Sequence, residues 1–357
     1  MTWAHAYLLA AVLIAVPTAA ALWSRPRTAP RAVFYLAVTV NETPFAWLAV
    51  LAAGAALTRP GGLALAAAAL VAAGLLELTR RGATAKRAVT AALAPVPVHV
   101  RWSYVRIVLA PLLRRCRTVE HVSGIAYGPA PEHRLDLYRS KDTEDAPVLV
   151  HFFGGGYNSG RRDTQSLPLL YRLAEAGWVC VSADYRLRPN FSFEDHLVDA
   201  KRLVAWVRAH GRDWGADPDR VVLAGSSAGA HLAASAAFTA GDRSRQPGFE
   251  DADTSVSAVV GFGGYYGTYY GRGEQTSPLG LASPQAPPCL IVHGDRDTIV
   301  PVADARRFVA GLRDAAVPVV YVELPGGQHA FDLCHSLRFD AVIGAVAAFC
   351  EAPPPRR

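Results

Sequence analysis

The chain has 357 residues, 51% of them apolar, and carries 36 Lys and Arg against 30 Asp and Glu for a formal charge of +6. That length admits one large domain with an added segment, and a mean hydropathy of +0.17, concentrated in the first part of the chain, points to a membrane rather than to an unusually large core. The basic excess, clustered as at Arg114-Arg115 and Arg161-Arg162, accompanies no basic helix with interleaved aromatics, so no nucleic-acid partner is expected; Cys116, Cys180, Cys289, Cys334 and Cys350 form no C-x-x-C pair and no metal spacing, and with an odd count in a chain this large nothing demands a disulfide framework.

Residues 1–80 read as a membrane region with about three helices. The first, roughly 3–23, is apolar over a length that crosses a bilayer. A secretory signal fits it poorly, because no positive charge precedes the apolar run. Residues 32–40 read as interfacial or re-entrant, because Asn41-Glu42-Thr43-Pro44 breaks the second apolar stretch. The second helix then occupies roughly 43–58. A turn at Arg59-Pro60-Gly61-Gly62 leads to a third at roughly 61–78. A helical hairpin packed on the rest of the protein is the competing arrangement, and the nearly polar-free faces weigh against it. Arg25, Arg27 and Arg31 follow the first helix, and Arg80, Arg81, Lys86 and Arg87 follow the third, whereas the loop between the second and third has only Arg59. The positive-inside rule then gives a multi-pass protein of the cell membrane with an external amino terminus and a cytoplasmic carboxy-terminal domain. Two or four helices would invert that orientation. Residues 81–117 are a connector, in which the mixture of Trp, Tyr, Arg and apolar residues over 88–113 suits a helix lying at a membrane surface.

Residues 118–350 alternate strand-like and helical patterns, which implies a mainly parallel central sheet with flanking helices. Strands are expected at 119–127, 134–138, 148–153, 178–183, 221–224, 256–262, 289–292 and 317–322. Helices are expected at 194–210, 303–315 and 339–350, the first with Leu197, Leu203, Val204 and Val207 at helical spacing. The tail, 351–357, is rich in proline and arginine and is expected to be disordered.

Four short motifs fall at the ends of these strands. Gly225-Ser226-Ser227-Ala228-Gly229 lies between a short apolar strand and the helix-prone run 231–240, the setting of a nucleophile elbow. Ser227 is its nucleophile; Ser226 is excluded by the alanines two residues to either side. Gly154-Gly155-Gly156 ends an apolar strand, so the amides of Gly155 and Gly156, with that of Ala228, are the candidate oxyanion donors. His293-Gly294-Asp295-Arg296-Asp297 follows another strand. Asp297 is the candidate acid, and Asp295 a turn residue bonding local amides. Gly326-Gly327-Gln328-His329 follows the next strand and offers His329 as general base, with His335 as the fallback; His121, His231 and His293 read as structural. The order Ser227, Asp297, His329 is that of the α/β-hydrolases.

Together these residues resemble the carboxylesterase and hormone-sensitive-lipase-like branch of the α/β-hydrolase fold, and within it a group of membrane-attached bacterial esterases. Asp184-Tyr185-Arg186-Leu187, Phe193-Glu194-Asp195-His196 and Leu324-Pro325-Gly326-Gly327-Gln328-His329-Ala330-Phe331 carry much of the likeness, as do Glu42 and Pro44 in the membrane region. The resemblance implies hydrolysis of small or medium acyl esters, small-molecule or lipid, through an acyl-enzyme, beside membrane lipid and without metal or cofactor. It departs from the family at Phe153, where a histidine is usual before the glycines; His151 sits two residues earlier, on one strand face with Phe153. The run Tyr265-Tyr266-Gly267-Thr268-Tyr269-Tyr270 lines an acyl pocket or forms a surface loop. An amidase or peptidase using the same triad, and a non-catalytic membrane scaffold on this fold, are the alternative functions.

Overall fold

The computed structural model describes residues 3–23, 31–109 and 116–352. Arg25, Arg27 and the tail 353–357 lie outside them. The apolar amino-terminal region forms α1 (Trp3–Trp23), α2 (Arg31–Asn41), α3 (Pro44–Thr58) and α4 (Gly62–Leu93). Its own core is made of small and branched residues, among them Ala11, Ile14, Ala68, Val71 and Leu75. The opposite faces carry Leu57, Leu63 and Leu70, each more than three quarters exposed, and α1 has an exposed tryptophan at each end. So much outward-facing hydrocarbon marks a surface that meets something other than water. By length and composition α1 and α4 can cross a membrane, and α2 with α3 forms a bent pair that can make a third span.

The bend between α2 and α3 is 76°, at the break the sequence pattern indicated. Proline at the first turn of α3 cannot continue α2. The carbonyl of Thr39, freed at the bend, accepts from the Thr43 hydroxyl at 2.7 Å and the Trp47 indole at 2.8 Å, so it is satisfied without water.

The third helix does not stop at Leu78. It runs on to Leu93 as one 32-residue rod. The polar residues beginning at Glu77 end the membrane-like composition but not the helix, because Ala85, Val89 and Leu93 continue an apolar face that packs on the carboxy-terminal domain. The expected surface-lying helix over 88–113 is corrected accordingly. Residues 88–93 belong to α4, and only a short helix, α5 (Tyr104–Leu109), follows among the described residues.

The carboxy-terminal domain is built on eight strands: β1 (Val119–Ala126), β2 (Arg134–Ser140), β3 (Ala146–Phe152), β4 (Val179–Ala183), β5 (Ala216–Ser226), β6 (Ala258–Phe262), β7 (Cys289–Gly294) and β8 (Val319–Leu324). Their order is β1-β2-β4-β3-β5-β6-β7-β8. Pairing is antiparallel from β1 through β2 to β4 and parallel from there to β8. The helices are α6 (Leu167–Glu175), which the sequence pattern did not indicate, α7 (Phe193–His210), α8 (Ala228–Phe238), α9 (Pro278–Leu281), α10 (Val302–Asp314) and α11 (Leu337–Glu351). α7, α8 and α10 bury Leu203, Leu232 and Phe308 on one face of the sheet. α6, α11 and the end of α4 cover the other. β3, β6, β7 and the carboxyl half of β5 are fully or almost fully buried, as central parallel strands are. The carboxyl ends of the parallel strands point the same way, and the four motifs emerge at those of β3, β5, β7 and β8. This is the α/β-hydrolase architecture, preceded by apolar helices. All five cysteines are free, with Cys180 and Cys289 buried.

Candidate active site

The tight turn from β5 into α8 holds Ser227 at φ 54°, ψ −117°, a conformation non-glycine residues avoid, costing about 1–3 kcal/mol. The surroundings enforce it. The Ser227 amide donates to Phe262 O at 2.9 Å, and its carbonyl accepts from Ala230 at 3.1 Å. The flanking glycines are required by proximity. A Cβ on Gly229 would sit 2.0 Å from Phe152 O, and one on Gly225 would sit 2.2 Å from Gly229 O.

His329 Nδ1 lies 2.7 Å from Asp297 Oδ2. A proton on Nδ1 donated to that carboxylate leaves Nε2 free as an acceptor. The other oxygen, Oδ1, accepts from the amides of Ile299 at 2.9 Å and Val300 at 2.8 Å. Burial disfavours the Asp297 charge, but the attraction of His329 and the hydrogen bonds of His293 and His329 outweigh it, so its carboxyl stays well below the usual range. Burial likewise opposes protonation of His329, yet Asp297 prevails and raises the imidazole above its ordinary value of 6.5. Gln328 fastens the two loops, its Oε1 accepting from the amides of Thr298 at 2.7 Å and His329 at 2.9 Å.

The other candidates fall elsewhere. Asp295 Oδ1 accepts from the Gly326 amide at 2.7 Å, 31 positions on, so its carboxylate ties its loop to that of His329 rather than bonding local amides. His335 pairs with Asp340 at 2.8 Å on α11. His231 bonds Tyr157 at 2.8 Å and Gly267 O at 3.0 Å, and His121 bonds Asp136. His293 is nearer the site than its sequence context indicated, with Nε2 2.9 Å from Val300 O and 3.3 Å from Asp297 Oδ2.

The glycine loop is fastened at its margins. The Gly154 amide donates to Gln165 Oε1 at 2.7 Å, and the Tyr270 hydroxyl donates to Gly156 O. Among the described residues, none accepts from the amides of Gly155, Gly156 or Ala228. Phe153 supports the loop by packing. Its ring stacks on Tyr185 with centroids 4.5 Å apart, and its carbonyl accepts from the Tyr185 hydroxyl at 2.9 Å.

His151 reaches Ser226, the residue before Ser227, in a buried polar group that no sequence motif marks. Its Nε2 lies 3.0 Å from Ser226 Oγ. Ser226 and Ser166 both donate to Asp332 Oδ2, at 2.5 Å and 2.6 Å. Burial pushes the His151 pKa down to about 3, so the ring is neutral, and burial raises that of Asp332.

Ser227 and His329 open onto one cavity of about 700 Å3, also lined by Gly155, Gly156, Tyr269 and Tyr270. Tyr265 lines it too, so three of the four tyrosines face the cavity, while Tyr266 stacks on Phe308 with centroids 3.9 Å apart. Phe34 and Tyr35 of α2 form another part of the wall. The Phe34 ring meets His329 edge-on at 6.0 Å. Glu42 of the α2–α3 break is buried against the base loop, accepting from Ser336 Oγ at 2.8 Å and from Arg338. Asn41 Nδ2 and the Arg338 guanidinium donate to the carbonyls of Gly326 and Pro325, both at 3.2 Å.

A serine on a strained strand-to-helix turn, a histidine backed by a buried carboxylate and unpaired amides at the strand ends define an α/β-hydrolase of the serine-esterase class. A family model described as BD-FAE matches residues 135–269. LipM of Mycobacterium tuberculosis, a probable carboxylic ester hydrolase, is 36% identical over 96% of this chain and 92% of its own length. Esterase LipQ of the same organism is 40% identical over 65% of this chain, and the match spans only 62% of LipQ. The propionate-bound structure of Thermogutta terrifontis esterase 2 is 26% identical, covering 67% of this chain and 95% of its own, with a TM-score of 0.57. The chain belongs to the α/β-hydrolase family of serine ester hydrolases that includes LipM.

Proposed function

We propose that this protein is a membrane-anchored serine carboxylesterase acting on small to medium acyl esters, with Ser227 as nucleophile, His329 as general base and acid, Asp297 as the orienting acid, and the amides of Gly155, Gly156 and Ala228 as the oxyanion hole. The observation that carries the reading is the 2.7 Å His329–Asp297 hydrogen bond in a cavity shared with the strained Ser227. His329 Nε2 takes the Ser227 hydroxyl proton as Oγ bonds the ester carbonyl carbon. The carbonyl oxygen becomes an oxyanion facing the three amides. The C–O bond to the alcohol breaks, and the leaving oxygen takes the proton from His329. Water then attacks the acyl-serine, gives its proton to His329, and releases the acid as that proton returns to Oγ. Asp297 holds the tautomer and favours the imidazolium throughout. The esterase names of LipM and LipQ and the propionate in the Thermogutta esterase support ester hydrolysis and a small acyl group.

The exposed hydrocarbon of α1, α3 and α4 supports anchoring in a membrane. α1 ends beside Arg81, whose guanidinium donates to Leu22 O at 3.3 Å, and α4 runs into the catalytic domain. The positive residues Arg80, Arg81, Lys86 and Arg87 therefore lie on the catalytic side, which favours a cytoplasmic catalytic domain. Purified full-length protein is expected to hydrolyse p-nitrophenyl acetate and to be labelled by a fluorophosphonate, and Ser227→Ala is expected to abolish both. Activity surviving in that variant refutes the assigned nucleophile. Turnover of the matching amide, p-nitroacetanilide, at rates equal to that of the ester would make the amidase alternative the better one.

A further inference from the structure

A second cavity adjoins the catalytic one beyond His329. Ala330, the next residue, lines both the 700 Å3 cavity and a second one of about 400 Å3. Val38 of α2, Ala46, Trp47 and Val50 of α3, and Leu333 enclose this second space. The polar groups at its wall are already committed. The Thr39 hydroxyl donates to Leu36 O at 2.7 Å, the Thr43 hydroxyl and the Trp47 indole both donate to Thr39 O, and Glu42 is engaged by Ser336 and Arg338. What remains, beside the Cys334 thiol, is a hydrocarbon groove of ligand-sized volume, walled by α2, α3 and residues 330–334 and separated from the catalytic cavity by no more than the shared residue Ala330.

The two sides of the catalytic cavity differ in kind. On the oxyanion-loop side, Tyr270 is bonded to Gly156, Tyr157 to His231, and His196 to Tyr269 at 3.0 Å, a cross-linked aromatic wall held in place by hydrogen bonds. On the histidine side lie Phe34, Ala330 and the groove. The chemistry decides which half of an ester goes where. His329 must reach the leaving oxygen to protonate it, so the alcohol half lies on the histidine side and the acyl half against the tyrosines.

We infer that the natural substrates are short-acyl esters of long-chain, lipophilic alcohols, with the hydrocarbon of the alcohol lying in the groove between α2–α3 and the 330–334 segment; this rests on the triad proposed above. Hexadecyl acetate and ethyl hexadecanoate test it directly. They are isomers of equal hydrocarbon content that enter detergent micelles alike and differ only in which side of the ester carries the chain. With full-length enzyme in detergent, kcat/KM is expected to favour hexadecyl acetate by about 10-fold or more, the scale on which an apolar pocket discriminates. Ala46→Trp and Leu333→Trp, which fill the groove from opposite walls, are expected to lower the ratio of hexadecyl acetate to p-nitrophenyl acetate turnover about 10-fold, in protein that fluorophosphonate labelling shows to be folded. Equal or reversed preference between the isomers in the unsubstituted enzyme, with p-nitrophenyl acetate still cleaved, overturns the inference alone. Failure to cleave p-nitrophenyl acetate removes the triad reading and this inference with it.

Discussion

His329 holds its Nδ1 proton against a carboxylate that two amides and a second histidine keep ionised. Because the imidazole pKa is raised above 6.5, and only the neutral ring can accept the Ser227 proton, kcat/KM is expected to fall as pH drops through a value above 6.5. A pH–rate profile with p-nitrophenyl acetate checks this. Asp297→Asn removes the raising charge, so the acidic limb moves to lower pH while kcat falls by about 10³–10⁴-fold. An unmoved limb would detach Asp297 from the base. In the buried polar group of His151 and Ser226, Asp332→Ala deprives the Ser166 and Ser226 hydroxyls of their acceptor. Ser226 keeps its contact with His151 and Ser166 its 3.3 Å contact with Ser226, so the loss is that of the two hydrogen bonds to the carboxyl group, about 0.5–1.5 kcal/mol each, which thermal unfolding will report as a lower Tm. The proposed nucleophile, acid and base could be picked out from the sequence because each sits in a short motif at a strand end. Asp332 could not, because its partner Ser226 lies 106 positions away and nothing local marks either as half of a pair.

The α2–α3 bend shows the same limit one level up. Asn41-Glu42-Thr43-Pro44 announces a broken helix, since proline and short polar side chains stop one and cap the next. It does not announce that Glu42 meets Arg338, 296 positions on, or that Phe34 and Tyr35 reach the catalytic cavity. Glu42 and Arg338 are both about 98% or more buried, and removing one partner of such a pair strands a charge. Glu42→Ala is expected to destabilise the detergent-solubilised protein by about 3–5 kcal/mol, whereas Glu42→Leu combined with Arg338→Met should recover most of that loss. A double variant no better than the single one would assign the cost to lost packing. The break is therefore also the joint by which the apolar helices grip the loop of His329.

Across the whole molecule, α4 is the element that belongs to both halves. The hydropathy pattern ended it at Leu78 because composition changes there, but an amphipathic face is judged against its packing partner, and the partners are α11 and β8, encoded more than two hundred residues later. Domain boundaries drawn by composition consequently cut through a helix. A chain beginning at residue 94 is expected to be insoluble, having uncovered the surface that Ala85, Val89 and Leu93 bury. One beginning at residue 79 keeps that cover and should give more soluble protein, above all with Arg338→Met, a comparison that expression and size-exclusion chromatography will decide. The continuous helix has a consequence for which lipids can react. A 32-residue helix is about 48 Å long, and it leaves no hinge between bilayer and catalytic domain. In the proposed arrangement Ser227 stands at one fixed height over the leaflet, and the depth at which a lipid carries its ester bond, rather than its affinity in solution, determines whether the enzyme can cut it.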